Sequence, residues 1–392
     1  MKFLHNMLEK VKPNFEKGGK YEKLYPLFEM TETFLFSQPI PTKKGAHIRD
    51  GVDSKRFMTM VIYALMPAML FGMYNIGFQH YKSIGAEASI FEMFIKGAWS
   101  LIPIYIVTFG VGGFWEMLFS VIRKHEINEG LLVTGFLIPL IVPPTIPLWQ
   151  LAIAVSFGVV IAKEVFGGTG MNIFNPALMA RAFLFFAYPK NISGNSVWTV
   201  FGDKTIDAYT SATPLSVVVE GSTTTTPVVD NLLSSGYSFM DMFLGFIPGS
   251  VGEVSTLAIL LGAAFLIITG VGSWRIMLSI FVGGYLMALL MNGFAPDSSS
   301  LLAIPPHYHM VMGGFAFGAV FMATDPISAS QTNKGKYIYG FLIGVIAIII
   351  RSLNPAYPEG MMLSILFMNA FAPLIDHYIV AGNKKRRLNY GK

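Results

Sequence analysis

Two short polar segments interrupt the apolar sequence and carry side chains suited to holding a ligand. GGTGMNIFNPA at 167–177 contains Asn172 and Asn175, and ATDPISASQTNKGK at 323–336 contains Asp325. Irregular backbone at membrane depth persists only where it lines a site or a cavity, so both segments predict a polar site. The alternative is that the two asparagines cap helix ends. The first segment is not a P-loop, because no Gly-Lys-Ser/Thr follows it.

A third polar motif, DAYTSATPLS at 207–216, brings hydroxyl groups to the start of an apolar stretch. A threonine hydroxyl can cap the first turn of a helix, and proline suits the first helical position. Local chemistry alone therefore favours a helix start at Thr213-Pro214.

Carboxylates in or beside apolar stretches form a further group. Glu116 lies within an apolar stretch, where a carboxylate is costly and usually functional. Oxygen ligands suit a hard cation. The candidates for a cation path are Glu29, Glu116, Glu164, Asp325 and Asp376. Arg123, Lys163 or another cation could pair with some of these acids instead.

Glycines and histidines complete the set of candidate groups. Gly112-Gly113 would let a flat ligand approach the backbone, and the alternative is close packing between helices. The seven histidines lack the paired placement within spans that a b-type haem requires. His307 and His309, beside a proline pair, are interpreted as interfacial.

The elements that carry these residues are predicted to be membrane helices. Of the 392 residues, 53% are apolar and 13% are charged, and the mean hydropathy is +0.55. A soluble domain has roughly 25% charged residues. We therefore predict an all-α polytopic membrane protein with about ten transmembrane helices, some of them broken. The spans are expected at 57–78, 98–122, from 130 with breaks at 139 and 143–144, from 147, at 177–188, on both sides of 272–275, and at 310–323, 337–353 and 361–380.

The order of the spans suggests two inverted halves. Five spans per half give the halves opposite orientations, the geometry of inverted-repeat transporters. The two polar breaks also fall at comparable places in the two halves. The predicted parts are an N-terminal segment (1–56), a first five-helix half (57–188), a loop (189–240), a second five-helix half (241–380) and a basic tail (381–392).

The distribution of charge sets the orientation. Residues 381–392 hold five basic and no acidic residues, and 1–56 are also rich in Lys and Arg. The positive-inside rule therefore predicts cytoplasmic termini and an external loop at 189–240. Basic segments next to apolar spans indicate anionic lipid rather than nucleic acid as the neighbour.

Other classes of site and segment are excluded or not expected. The absence of cysteine excludes disulfides, thiolate zinc sites and cysteine-ligated iron–sulfur clusters within the chain. The first 50 residues lack the apolar core of a signal peptide.

Many segments resemble one family, the B subunit of the Na⁺-translocating NADH:quinone oxidoreductase. The resemblance covers nearly the whole chain. The segments that carry it are GGKYEK (18–23), HIRDGVDSKRFM (47–58), MPAMLFGMYN (66–75), GGFWEMLF (112–119), RKHEINEG (123–130), VPPTIPLWQ (142–150), KEVFGGTGMNIFNPAL (163–178), IPGSVGEVSTLA (247–258), FMATDPISAS (321–330) and NPAYPEGMMLSILFMNAFAPLIDH (354–377).

The resemblance implies two flavins. DxxTSAT is similar to the D-x-x-[ST]-G-A-T signal at which a flavin transferase joins FMN to threonine through a phosphoester, here Thr213, with Ser211 in place of the usual glycine. It also implies non-covalent riboflavin at Asn172, Asn175 and Asp325. Amides and carboxylates can hydrogen-bond a flavin ring or its ribityl hydroxyls.

The resemblance further implies the function. Gly112-Gly113 would belong to the ubiquinone-binding region, and the acids named above become candidates for the Na⁺ path. The chain would be a bacterial inner-membrane translocase subunit in a six-subunit complex, passing electrons from FMN through riboflavin to ubiquinone with coupled Na⁺ export. No residue is assigned a catalytic role, and NADH would be oxidised elsewhere, since no dinucleotide fingerprint is present. Alternatives are the D subunit of an Rnf-type ferredoxin:NAD⁺ complex and a non-redox inverted-repeat secondary transporter.

Overall fold

The computed structural model describes most of the chain. The described residues are 2–16, 18–22, 25, 28–29, 32–33, 36, 42, 45–46, 53–123, 130–202 and 209–390. Parts of four motifs, at 23, 47–52, 124–129 and 207–208, lie outside them. Within the described ranges all regular structure is helical.

Within the described residues, the N-terminal half of the fold contains six helices of ten or more residues. Their bounds are α1 Lys2–Val11, α2 Ser54–Ile84, α3 Ile90–Arg123, α4 Gly130–Ile141, α5 Leu148–Val160 and α6 Pro176–Ala187. A 3₁₀ turn at Glu164–Phe166 and irregular backbone separate α5 from α6. This irregular stretch coincides with the first polar segment of the sequence.

The C-terminal half begins with short helices and ends with long ones. Their bounds are α7 Pro214–Gly221, α8 Val228–Ser234, α9 Phe239–Leu244, α10 Thr256–Ile268, α11 Trp274–Gly293, α12 Pro306–Val311, α13 Asn333–Leu353 and α14 Met361–Tyr390. Between α12 and α13 a short helix, Phe315–Phe317, continues as a π-helical turn, Gly318–Met322. The second polar segment follows this turn as irregular backbone.

Six helices in the described ranges are long and apolar enough to cross a membrane, namely Lys55–Ile84, Ile90–Arg123, Leu148–Phe166, Trp274–Gly293, Asn333–Leu353 and Met361–Asn389. Three shorter apolar helices, α4, α6 and α10, accompany them. The predicted all-α polytopic membrane fold is confirmed. Together with the broken segment 306–322, these helices match the ten predicted apolar segments, and their grouping into inverted halves stays a prediction.

Several helix ends differ from the prediction. Helix α3 begins eight residues before the expected span, and α14 continues through the basic cluster 384–387. The apolar span gives only the minimum length of a membrane helix. The helix can continue beyond the membrane through polar residues that face water. Helix α4 continues past Pro139 to Ile141, because a proline near a helix end removes only one backbone hydrogen bond.

Close contact between helices fixes the core of the second half. Helices α11 and α13 pack against each other along most of their length. A Cβ atom added to Gly340 would lie 2.7 Å from the carbonyl oxygen of Ile276, so glycine is required there for the two backbones to approach. Helix α10 packs against α2 and against the π-helical turn. One face of α10 is buried in these contacts, and residues at or next to both of its ends line cavities.

Candidate flavin and ion sites

One cavity gathers the residues of the two polar segments; we call it the asparagine cavity. Its walls come from the N-terminal turns of α2 and α4, the C-terminal end of α10 and both irregular segments. Asn172, Asn175 and Asp325 all line it, although about 150 residues separate the asparagines from the aspartate. Lys163 and Thr169 line it as well.

The two asparagines also stabilise local backbone. Asn175 is the N-cap of α6, and its Oδ1 accepts hydrogen bonds from the backbone N–H groups of Ala177 and Leu178 at 3.0 and 3.3 Å. Asn172 donates from Nδ2 to the carbonyl oxygen of Phe174 at 3.0 Å. The helix-capping alternative therefore applies to Asn175, and capping leaves the Asn175 amide group at the cavity wall.

Asp325 is held in a tight turn. Its carboxylate accepts hydrogen bonds from the Ser328 hydroxyl at 2.6 Å and from the Ser328 backbone N–H at 3.3 Å. These bonds fix the carboxylate without neutralising its charge. Asp325 thus presents an acceptor on the side of the cavity opposite the asparagine segment.

An unpaired hydroxyl indicates that the cavity is built for a polar ligand. Thr169 Oγ1 is buried and has no hydrogen-bond partner among the described residues, and buried hydroxyls are normally bonded. Amide, carboxylate and hydroxyl groups together match the edge and ribityl hydroxyls of riboflavin, so the residues fit that cofactor.

Three of the five candidate acids for a cation path form ion pairs. Glu116 pairs with Lys163, and both side chains are buried. Glu164 pairs with Arg123 at 3.0 Å, and Glu29 pairs with Lys55 at 3.0 Å. Each of these three acids is therefore paired with a basic residue, as the alternative interpretation of the sequence expected.

The other two acids, Asp325 and Asp376, accept hydrogen bonds from neutral groups. Asp376 accepts from Ser330 Oγ, from Thr332 Oγ1 and from the backbone N–H of Gln331, at 2.6 to 2.7 Å. In the ranges that the structure describes, no group of three or more His, Asp or Glu side chains could hold a metal ion. The five acids therefore do not form one metal site in the part of the chain that the structure describes.

The two glycines of α3 have different surroundings. A Cβ added to Gly112 would lie 3.1 Å from Leu131 Cδ1, so Gly112 packs against α4. A Cβ added to Gly113 would meet nothing within 4 Å. Packing accounts for Gly112, and Gly113 leaves open surface on which a flat ligand could lie.

Thr213 lies at the rim of a cleft on the other side of the molecule. It is the N-cap of α7, where its hydroxyl accepts a hydrogen bond from the backbone N–H of Ser216 at 3.3 Å. Two neighbouring cavities are both lined by Thr213, Arg181, Trp198 and Glu359, and we call them together the threonine cleft. The N-cap prediction is therefore confirmed, and the half-buried hydroxyl still borders the cleft.

Charged side chains form the floor of the threonine cleft. Arg181 and Glu253 make a buried bidentate ion pair with N–O distances of 2.5 and 3.3 Å. Glu359 accepts a hydrogen bond from the backbone N–H of Gly314 at 2.8 Å. Arg181 is the one cation among the described residues of the cleft lining, and both of its terminal nitrogens bond to Glu253. A phosphate esterified to Thr213 would have to share this guanidinium with Glu253.

Bonds of the preceding residues hold the Thr213 backbone in place. The hydroxyls of Ser211 and Thr199 share a buried hydrogen bond of 2.6 Å. Tyr237 donates from its hydroxyl to the carbonyl oxygen of Ala212 at 2.6 Å. Burial raises the pKa of Tyr237 and of Tyr209 above the ordinary value of a phenol, so Tyr237 keeps the proton that it donates.

The two sites lie at opposite ends of α10. Val254, just before α10, lines the threonine cleft, and Leu266 near its C-terminus lines the asparagine cavity. Ten residues of helix from Thr256 to Leu266 span about 15 Å at 1.5 Å per residue.

Sequence reasoning missed several groups that the structure brings into the sites. Arg181 and Glu253 were not connected with Thr213, and Thr169 was not singled out. One feature of the sequence could have identified Arg181 and Glu253. Each lies within or next to an apolar helix, where a charged side chain needs a partner of opposite charge. Lys163 was named only as one of several partners for an acid, and the structure adds that it lines the asparagine cavity.

Comparison with known proteins gives one consistent result. A family model described as the NQR2, RnfD, RnfE family matches residues 41–385. The chain is 52% identical to the B subunit of the Na(+)-translocating NADH-quinone reductase of Chromohalobacter salexigens, over 98% of this chain and 96% of that protein. Proteins of the same name from Pseudomonas paraeruginosa and Stutzerimonas stutzeri are 50% and 51% identical, over 98% and 97% of this chain and 98% of each relative.

Proposed function

The chain belongs to the NQR2, RnfD, RnfE family, and we propose that it is the B subunit of a bacterial Na⁺-translocating NADH:quinone reductase. It passes electrons from FMN on Thr213 through riboflavin to ubiquinone, and this transfer is coupled to Na⁺ export. It spans the inner membrane with cytoplasmic termini and a periplasmic loop at 189–240. NADH is oxidised by other subunits of the six-subunit complex.

The observation that carries the proposal is the meeting of Asn172, Asn175 and Asp325 around one cavity. Bound riboflavin would supply one- and two-electron redox chemistry there. The asparagines offer amide donors and acceptors, and Asp325 offers an acceptor for a ribityl hydroxyl or a ring N–H. Thr169 gains a partner for its buried hydroxyl. The role of these residues is to bind and orient the ring and to exclude water.

Thr213 supplies the oxygen atom of the second attachment. A hydroxyl on a loop outside the membrane is within reach of a periplasmic flavin transferase, and α7 holds it at the cleft rim. Trp198 offers an aromatic face to a flat ring, and Arg181 lines the same cleft as the partner of Glu253. Ser211 is buried and bonded to Thr199, so its side chain does not obstruct the Thr213 hydroxyl.

Ubiquinone is assigned to the open surface at Gly113. Gly113 and Glu116 are three residues apart on α3, so the headgroup region lies within one helical turn of the Glu116–Lys163 pair. The acids Glu29, Glu116, Glu164, Asp325 and Asp376 are the proposed stations of Na⁺. Three of them are paired with a cationic side chain in this structure.

A second candidate function has one observation in its favour. The family model includes RnfD, so the D subunit of an Rnf-type ferredoxin:NAD⁺ complex is the rival. The relatives at 50–52% identity are named as quinone reductase subunits, which favours the first function. The subunits that copurify with the chain distinguish the two complexes.

Intact mass and flavin extraction test the proposal. Chain produced with its flavin transferase should carry the mass of one FMN, and acid extraction of the complex should release riboflavin. Thr213→Val should lose the covalent FMN and keep riboflavin, and Thr210→Ala should keep both. FMN found on Thr210 or Ser211, or an unmodified mass in cells with an active transferase, would overturn the FMN assignment. Absence of riboflavin from the extract would overturn the second assignment.

A further inference from the structure

The ion pair of Lys163 and Glu116 joins two parts of the molecule. Lys163 follows α5 in the irregular segment, and Glu116 lies 47 residues earlier on α3. Their side chains are 3% and 1% exposed. Burying two charges is costly, and replacement by apolar residues is often neutral or stabilising. Stability alone therefore does not explain why this buried position holds an ion pair, and a functional role is expected.

Lys163 is also part of the wall of the asparagine cavity. Among the described lining residues it is the one cation, and Asp325 is the one carboxylate. A lysine that is paired on one side and borders a ligand cavity on the other is placed to act on the charge of the ligand. Asp325 is held at its own turn by Ser328 and forms no ion pair with a described residue.

Reduction adds negative charge to an isoalloxazine ring, mainly at N1 and the neighbouring carbonyl. A fixed cation near these atoms stabilises the reduced ring and raises its redox potential, and a nearby anion has the opposite effect. The effect is large because the surroundings are buried and poorly screened. The net field at the cavity thus depends on Lys163 and on how strongly Glu116 offsets it.

We propose that Lys163 compensates the negative charge of reduced riboflavin and thereby sets its redox potential, and that Glu116 is the positioning residue that holds Lys163 at the cavity wall. The inference rests on the proposed function, because it requires riboflavin in the asparagine cavity. The electron comes from the covalent FMN and leaves to ubiquinone. The proton on Lys163 Nζ stays in place, and no covalent bond forms or breaks.

Opposite charges at the two positions give the proposal a clear signature. Lys163→Met removes the cation, so at a fixed potential the ratio of reduced to oxidised riboflavin should fall at least tenfold, or about 59 mV for one electron. Glu116→Gln removes the offsetting anion, so the same ratio should rise. Lys163→Arg keeps the charge and should stay close to the wild type. A merely structural ion pair would not shift the potential in opposite directions.

The test is a redox titration of the purified complex. The background is Thr213→Val, so that riboflavin is the only flavin on this chain, and reduction is followed by its absorbance. The double variant Lys163→Met/Glu116→Gln has no unpaired buried charge and should lie between the single variants. Lys334→Met is the matched control. Lys334 is exposed at the start of α13, so water and salt screen its charge and the ratio should change less than twofold.

The outcomes separate this inference from the proposed function. Riboflavin at the wild-type amount with unchanged ratios in Lys163→Met and in the double variant would overturn the inference and leave the proposed function intact. Shifts of equal sign in Lys163→Met and Glu116→Gln would also overturn it. Loss of riboflavin from both Lys163→Met and Lys163→Arg would overturn it, since a charge-compensating role predicts retention in the arginine variant. Absence of riboflavin from the parent complex would instead refute the proposed function.

Discussion

The hydroxyls of Ser211 and Thr213 have different surroundings although they lie two residues apart. Ser211 faces the interior and bonds to Thr199, and Thr213 caps α7 at the rim of the threonine cleft. Ser211 replaces the glycine that the similar motif usually has at this position. In this chain the Ser211 hydroxyl is buried and forms a hydrogen bond with Thr199.

Ser211→Gly should therefore leave flavin attachment unchanged and lower stability. It removes one buried hydrogen bond and leaves Thr199 without its partner, which costs about 1–3 kcal/mol. Intact mass measures the attachment, and the thermal midpoint of the purified chain measures stability. Thr199→Val/Ser211→Ala, which removes both hydroxyls, should be less destabilising. A loss of covalent FMN in Ser211→Gly would show that the serine takes part in attachment.

Neighbouring glycines on α3 allow a matched test of the quinone assignment. Gly113→Leu extends into open space, so the complex should assemble with both flavins and reduce quinone more slowly, with a KM for quinone raised about tenfold or more. Gly112→Leu would collide with Leu131 and should reduce assembly. Quinone kinetics and the yield of complex measure the two effects. Normal quinone kinetics in Gly113→Leu would exclude the headgroup from this surface.

At the scale of elements, the Arg181–Glu253 pair joins α6 to the segment that leads into α10. Glu253→Ala should destabilise the chain by about 3–5 kcal/mol, because it leaves a buried guanidinium without its counter-charge. Arg181→Met/Glu253→Leu, which removes both charges, should recover much of this loss. Thermal unfolding in detergent micelles measures both. Equal destabilisation of the single and double variants would show that packing, and not charge, connects these elements.

Sequence patterns predicted the membrane helices and the two irregular segments, because both depend on local composition. Helix ends were less accurate: α3 begins earlier than its apolar span, and α14 continues into the basic tail. The sequence did not predict which basic residue pairs with Glu116. Lys163 lies 47 residues away along the chain, and several other basic residues were equally suitable partners. The meeting of Asn172 with Asp325 depends on how α2, α4 and α10 pack, which no local pattern encodes.

At the scale of the whole molecule, α10 separates two cavities of different chemistry. The threonine cleft is lined by the Arg181–Glu253 ion pair and by Glu359, and the asparagine cavity has amides and a carboxylate that suit an uncharged ribityl chain. The first belongs to the loop predicted to face the periplasm, and the second lies at the end of the molecule where α2 begins. In the proposed function, electrons from FMN on Thr213 would cross about 15 Å of protein along α10 toward the cytoplasmic side.

This direction of transfer depends on the orientation of the chain, which cysteine labelling can test. The chain has no cysteine, so a single introduced cysteine reports one position. Thr225 is exposed in the turn between α7 and α8, and Asn389 is exposed near the end of α14. Thr225→Cys should react with a membrane-impermeant thiol reagent in spheroplasts, because the positive-inside rule predicts that both termini are cytoplasmic and that the loop at 189–240 is external. Asn389→Cys should react only after the membrane is permeabilised, and labelling after permeabilisation confirms that both sites are accessible.

The reverse pattern would put Thr213 on the cytoplasmic side, out of reach of a periplasmic transferase, and would reverse the direction of electron transfer along α10.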